Sequence, residues 1–270
     1  MSQSFTVACV QMTSGPHVTA NVTQAVGLVR EAHRSGAQLI VLPELINAIE
    51  RDRSALADKV NQEQDDTSLA TFCALAAELR IWLLVGSLSL VDEVSRNEHR
   101  TPLFANRSFM IGDDGVVRNR YSKNHLFESE EHTDRQDLEP GRKAVLAETP
   151  WGPIGMTIGS DVYFAQLYRQ LAQGGARYLS VPAALAGSSG KAHWHVLARA
   201  RAIESGCFVF AAAQCGDHGN GRMSYGHALI VDPRGTVLAD GGQEPGFILA
   251  EIDPGEVEVA RSGIPPLTAG

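Results

Sequence analysis

One stretch constrains this chain more than any other: Trp151-Gly152-Pro153-Ile154-Gly155-Met156-Thr157-Ile158-Gly159-Ser160-Asp161-Val162-Tyr163-Phe164. The apolar run at 154–158 reads as a short buried strand, and Gly159-Ser160-Asp161 breaks it sharply. Beyond the break, Val162, Ala165, Leu167, Tyr168 and Leu171 recur at helical spacing. Strand, tight turn and helix together form an elbow. Such a turn lifts one side chain out of a sheet and aims backbone N–H groups at the same point.

The surrounding sequence alternates strands and helices. Strands are predicted at 5–10, 39–42, 82–87, 178–182, 208–213 and 247–252, and helices at 21–34, from Asp66 or Thr67 to 79, and at 191–204. Within the last helix Trp194, Leu197 and Ile203 are the expected buried positions. Residues 106–111 and 115–117 read as a hairpin about Asp113-Asp114-Gly115, and 225–237 as a second hairpin. The polar stretch 128–139 reads as a loop, and the residues from about 261 as a tail. With no linker, repeat or low-complexity segment, the pattern predicts one α/β (α+β) layered domain spanning 1–270.

Bulk properties narrow the partners. A net charge of −8 over 270 residues disfavours nucleic acid and anionic membranes. No apolar run approaches membrane-spanning length and no leader pattern opens the chain. Cys9, Cys73, Cys207 and Cys215 lack C-x-x-C spacing and read as reduced thiols, so a cytoplasmic setting is expected. His218, His227, Asp217 and Asp232 make no recognised ligand spacing, and no metal or other cofactor is expected.

Glu44, directly after the strand at 39–42 and Pro43, stands where α/β proteins place functional carboxylates, although a solvated loop Glu has the same pattern. Lys123, flanked by Tyr121 and Phe127, reads either as a partly buried cation that needs a carboxylate or as a surface Lys with its stem over the rings.

Taken together, Pro43-Glu44, Lys123 with His125-Leu126-Phe127, and the elbow before Asp161 resemble the nitrilase, or carbon–nitrogen hydrolase, superfamily. The similarity runs from about Phe5 to Ile252. It is densest at Gly190-Lys191-Ala192-His193-Trp194, Arg199-Ala200-Arg201-Ala202-Ile203-Glu204, Ala211-Ala212-Ala213-Gln214, Ser224-Tyr225-Gly226-His227 and Ile230-Val231-Asp232-Pro233. These segments resemble the deaminated-glutathione amidase and ω-amidase branch. The resemblance implies a nitrilase-type four-layer αββα sandwich, αββααββα across a dimer, in a homodimer or higher homo-oligomer acting on a small molecule. It also implies hydrolysis of amides or nitriles by a Glu base, a Lys and a Cys nucleophile.

Glu44 and Lys123 match the base and the Lys. A second acid ahead of Pro140-Gly141 falls on Asp134 by counting back, with Glu128, Glu130 or Glu131 of the same loop as alternatives. Tyr163, His193, Trp194 and Phe127 are candidate substrate contacts. Two departures stand out. The elbow carries Gly159 and Ser160 where the family has Cys and an aromatic residue, and His195 stands where the amidase branch continues with Glu.

Gly159 cannot attack a carbonyl, and Ser160, one residue on, should leave the turn in another direction and would need a base to take its proton. Three readings follow. The first is an enzyme using Glu44, Lys123 and, if it faces the pocket, His195 for non-covalent acid–base chemistry: hydrolysis, cyclisation, condensation or elimination on an amide-, amidine- or carboxylate-bearing metabolite. The second is a silent binding or regulatory relative. The third is a weak amide hydrolase using Ser160 or water.

Overall fold

Alternate residues of the first strand settle how the layers stack. In β1 (Phe5–Met12), Phe5, Val7 and Cys9 point into one buried cluster, while Ala8, Val10 and Met12 point into another. A strand with period-two side chains and apolar residues on both faces has to be covered on both sides. The computed structural model, described for residues 3–96, 102–126, 138–219 and 221–264, shows what covers it.

The first half of the chain continues with α1 (Val18–Arg34), β2 (Leu39–Val41), α2 (Arg53–Ala57), α3 (Thr67–Leu79), β3 (Trp82–Arg96), β4 (Pro102–Ile111) and β5 (Val117–Ser122). Asp66 caps α3, its carboxylate accepting from the Leu69 N–H at 2.7 Å, as its sequence position predicts. The second half supplies β6 (Val145–Ala147), β7 (Ile154–Met156), α4 (Ala165–Gln173), β8 (Tyr178–Ser180), α5 (Gly187–Ser205), β9 (Phe208–Ala211), β10 (Ala213–Asp217), β11 (Met223–Tyr225), β12 (Leu229–Val231), β13 (Val237–Asp240), β14 (Gly246–Ile252) and α6 (Gly255–Ser262).

An eight-stranded sheet runs β11-β10-β1-β2-β3-β4-β5, with β14 antiparallel to β1, and a six-stranded sheet runs β13-β12-β9-β8-β7-β6. Val29 and Ala32 of α1 and Phe72 and Leu75 of α3 pack on one face of the larger sheet. Phe5, Val7, Leu84, Tyr178, Phe208, Phe210 and Ile230 fill the space between the sheets. Leu167, Tyr168 and Leu171 of α4 and Trp194 of α5 cover the far face of the smaller sheet. The layers are therefore α, β, β, α, the expected sandwich.

Several local differences have physical causes. Residues 208–213 form two strands in different sheets, because the chain crosses between sheets at Ala212. The 225–237 hairpin is narrower than predicted, since Met223–Tyr225 pairs with β10 and only β12 and β13 turn about Asp232. Ile203 is 42 % exposed rather than buried: it lies over the turn at Gly235, outside the sheet. A short helix at Gly255–Ser262, which the sequence reading did not assign, runs up to the segment expected as a tail. Among the described residues no helix is long and apolar enough to cross a membrane.

His218, at the β10–β11 turn, has one ring nitrogen 2.7 Å from the Ser14 carbonyl and the other 2.8 Å from the Ser224 hydroxyl. Burial holds its pKa below the ordinary 6.5, outweighing the pull of the Ser14 carbonyl. The unfolded chain therefore takes up this proton first, so the contribution is complete above 6.5 and is lost as pH falls below that value. Denaturation midpoints are expected to decline as pH falls below 6.5, and His218→Gln is expected to flatten the decline. Parallel curves for the two proteins would remove His218 as the cause.

Candidate active site

Glu44 owes its position to a turn fixed from several sides. The turn follows β2, where the carbonyls of Leu42 and Pro43 lie against Gly86, so closely that a β carbon at Gly86 would fall 2.0 and 2.3 Å from them. No larger residue fits there without moving backbone. Leu45 takes a left-handed φ of 56° and donates its N–H to Ser87 Oγ at 2.9 Å. Gln214 Nε2 donates to the Glu44 carbonyl at 2.9 Å. Strain at a non-glycine residue persists only where its surroundings over-determine it, and such sites cluster at functional centres.

The Glu44 carboxylate is almost fully buried. Its Oε1 accepts from Lys123 Nζ at 3.1 Å and from Asn106 Nδ2 at 2.8 Å, and its Oε2 accepts from the Ala184 N–H at 2.9 Å. Lys123 is buried too, and follows β5 with its own N–H bonded to the Asn106 carbonyl. A buried carboxylate and a buried ammonium are tolerable together because each neutralises the other and the remaining lone pairs are bonded. The sequence reading of a partnered Lys123 is the one the structure shows.

Gly159 opens the elbow with a φ of 51°, followed by a 3-10 turn at Gly159–Tyr163 and only then by α4. Its N–H donates to the Pro182 carbonyl at 2.8 Å, and the Asp161 N–H to Ile158, so neither remains to meet an oxyanion. A β carbon at Gly159 would fall 2.5 Å from Glu44 Oε2. The glycine thus leaves space that the Glu44 carboxylate fills.

Asp161 holds the elbow together from inside. It has no solvent exposure; Oδ2 accepts from Tyr121 OH at 2.6 Å and from the Ile158 N–H at 2.9 Å. Oδ1 accepts from the His125 N–H at 3.0 Å and lies 2.7 Å from His125 Nδ1. Burial, then the Asp161 charge, pushes the Tyr121 hydroxyl far above its usual range, so it stays a donor. The His125 ring stacks on Phe164 at 3.7 Å, clamping the Lys123 loop to the elbow. Ser160 Oγ donates to the His125 carbonyl at 2.6 Å, which commits its proton to a carbonyl rather than to a base.

A cavity of about 440 Å³ opens above these groups, lined by Glu44, Lys123, Asn106 and Ser160, with Arg51, Arg53 and Arg222 among its other walls. Asn106 Oδ1 is buried and has no hydrogen-bond partner among the described residues. Asn106 and the arginines escaped the sequence reading. An Asn in the apolar run Phe104-Ala105-Asn106 was the available signal for the first.

Other candidates fall elsewhere. Tyr163 and His193 bond each other at 3.0 Å on an exposed face, and Trp194 is buried with Nε1 donating to the His227 carbonyl; none lines the cavity. His195 also lies outside the cavity lining, with Nε2 2.9 Å from Asp240 Oδ2. The reason for the last three is helical geometry: His193, Trp194 and His195 sit on turns of α5 that face the smaller sheet or solvent, while Tyr163 ends the 3-10 turn beside them. Phe127, Glu128, Glu130, Glu131 and Asp134 lie outside the described residues. None of the four cysteines lines the cavity. Burial raises the Cys9, Cys207 and Cys215 thiols, Cys207 to about 11, which is the behaviour of packed sulfur rather than of a nucleophile.

An αββα sandwich with a carboxylate–ammonium pair beside a strand-to-helix elbow defines a class of carbon–nitrogen bond hydrolases, and comparison with known proteins agrees. The carbon–nitrogen hydrolase family profile matches residues 6–262, and the chain belongs to that family. It is 38 % identical over 270 residues to the deaminated glutathione amidase of Rattus norvegicus, covering 96 % of this chain and 80 % of the relative. Among solved structures it superposes on Saccharomyces cerevisiae Nit3, of the nitrilase superfamily, with TM-score 0.86 and 29 % identity, covering 98 % and 96 % of the two chains. On the C. elegans NitFhit protein the TM-score is 0.87 at 32 % identity, covering 97 % of this chain and 64 % of the longer one.

Proposed function

We propose that this protein cleaves a small amide-bearing metabolite without a covalent enzyme intermediate, with Glu44 activating water directly. The observation that carries this reading is the Glu44 carboxylate beside Gly159, in the space a side chain at residue 159 would need. Where the family resemblance calls for a thiol there is none, and Ser160 has spent its proton on a carbonyl. Glu44 is left as the group able to take a proton at that point.

Lys123 lies against Glu44 and supplies positive charge for a developing oxyanion. The buried Asn106 Oδ1 is an acceptor suited to the N–H of a carboxamide. Arg51, Arg53 and Arg222 on the walls suit a substrate that also carries a carboxylate, against a net charge of −8 for the chain. The relatives named deaminated glutathione amidase are, by that name, enzymes that cleave an amide.

Deaminated glutathione and smaller ω-amides are the compounds to assay. Turnover with no mass adduct on the intact protein during steady state is the expected result. An acyl adduct on Ser160 would replace the water route, and failure to bind or turn over any of them would favour a binding or regulatory role.

Gly159→Cys probes the same space. The new β carbon must displace a carboxylate held by Asn106, Lys123 and Ala184, at a left-handed φ of 51°. The expected cost is about 1–3 kcal/mol, read from urea denaturation. An unchanged midpoint would mean that Glu44 swings aside freely.

A further inference from the structure

Away from the Glu44 cavity, the fold gathers three side chains that the proposed reaction does not use. His195 comes from α5, His227 from the turn before β12, and Asp240 from the end of β13. His195 Nε2 is 2.9 Å from Asp240 Oδ2, and His227 Nδ1 is 2.9 Å from Asp240 Oδ1 and 3.2 Å from Oδ2. One nitrogen or oxygen from each of the three falls within 4.8 Å of the others. The two imidazole rings are 5.1 Å apart.

The trio is set up by contacts outside itself. His227 adopts a φ of 55°; its N–H donates to the Gly242 carbonyl at 2.6 Å and its carbonyl accepts from Trp194 Nε1 at 2.7 Å. Its ring stacks on Tyr225 at 4.4 Å. Asp240 Oδ1 also accepts from the Gly242 N–H at 2.9 Å. Burial opposes the Asp240 charge, but hydrogen bonds from His195, Gly242 and His227 outweigh it and hold the carboxyl below its usual range. The side chains of His195, His227 and Asp240 are 33, 19 and 35 % exposed, which leaves water access on one side.

Two imidazole nitrogens and one carboxylate oxygen, converging with an open side, form the donor set of a divalent first-row transition ion. Ligands at about 2.0–2.1 Å from a tetrahedral ion lie about 3.3 Å apart, so the two spacings to Asp240 need shifts of only a few tenths of an ångström, while the imidazole nitrogens, within 4.8 Å of each other, close toward the same value. We propose that His195, His227 and Asp240 bind one such ion, with Zn²⁺ suited to this N₂O set and water completing the shell. On binding, each imidazole releases to solvent the proton that its Asp240-facing nitrogen donates, keeps or gains one on the ring nitrogen turned away, and offers the metal the lone pair so freed. The ion ties α5 to the β12–β13 hairpin. It is separate from the reaction at Glu44, because none of its ligands lines that cavity.

The test uses the full chain, stripped with chelator and titrated with ZnCl₂ in a calorimeter and with Co²⁺ in a visible spectrometer. One ion per chain, a rise in melting temperature with zinc, and a Co²⁺ spectrum of tetrahedral nitrogen and oxygen ligation are expected. His195→Ala and Asp240→Ala should each weaken zinc binding at least about tenfold, and Glu44→Gln should leave it unchanged. Absence of saturable binding, undiminished binding in both variants, or a thiolate charge-transfer band with Co²⁺ would each overturn the proposal. The wild-type spectrum decides the matter even if a variant fails to fold.

Discussion

Replacing Glu44 with glutamine is expected to cut amide turnover by about 10²–10⁴-fold, the usual worth of a positioned general base. Glutamine keeps the shape and removes the basicity. Its carbonyl oxygen can still accept from the Ala184 N–H, and its NH₂ then faces Asn106 and Lys123, where Glu44 Oε1 had accepted both. Asn106 can rotate its amide and offer Oδ1, which has no partner among the described residues. Lys123 cannot adapt in this way and loses its ion pair with the Glu44 carboxylate in a buried site. Some loss of stability therefore accompanies the loss of rate, and the two are separated by assaying well below the melting temperature. A variant that retains wild-type kcat/KM on an ω-amide would remove Glu44 from the chemistry.

The second large effect is on stability. Asp161→Ala should cost about 3–5 kcal/mol, a large share of the roughly 5–15 kcal/mol available to a domain. The substitution strands Tyr121 OH and the N–H groups of Ile158 and His125, all aimed at a carboxylate with no solvent exposure. Asparagine is expected to cost less but not to rescue fully. Its NH₂ must turn toward either the Tyr121–Ile158 pair or the His125 pair, and each includes a backbone N–H that cannot become an acceptor. Urea denaturation of the two variants checks this order. A loss below about 1 kcal/mol for alanine would mean that water satisfies the stranded donors.

Asp161 also explains why the elbow holds its shape with a glycine at residue 159. The turn is held by hydrogen bonds to Asp161 and by the Gly159 N–H on Pro182, none of which needs a side chain at residue 159. The side chain at 159 and the architecture at 161 are separable, so one can change while the other persists.

Apolar strands in the sequence called for covering layers, and the resemblance to the carbon–nitrogen hydrolase superfamily marked Glu44 and Lys123 as a pair. Pro43-Glu44, Lys123 and the Gly159 break each end a strand, where local pattern is informative. Tertiary structure alone decided what surrounds them. Asn106 and the Ala184 N–H reach Glu44 from distant segments, and the arginines join the cavity walls by loop placement. His195 went to Asp240 and His227 rather than to the cavity, since the direction of a side chain on α5 is set by how the helix packs on its sheet. Periodicity carries which residues are buried; it does not carry which two buried or half-buried groups, tens of residues apart, end within a hydrogen bond of each other.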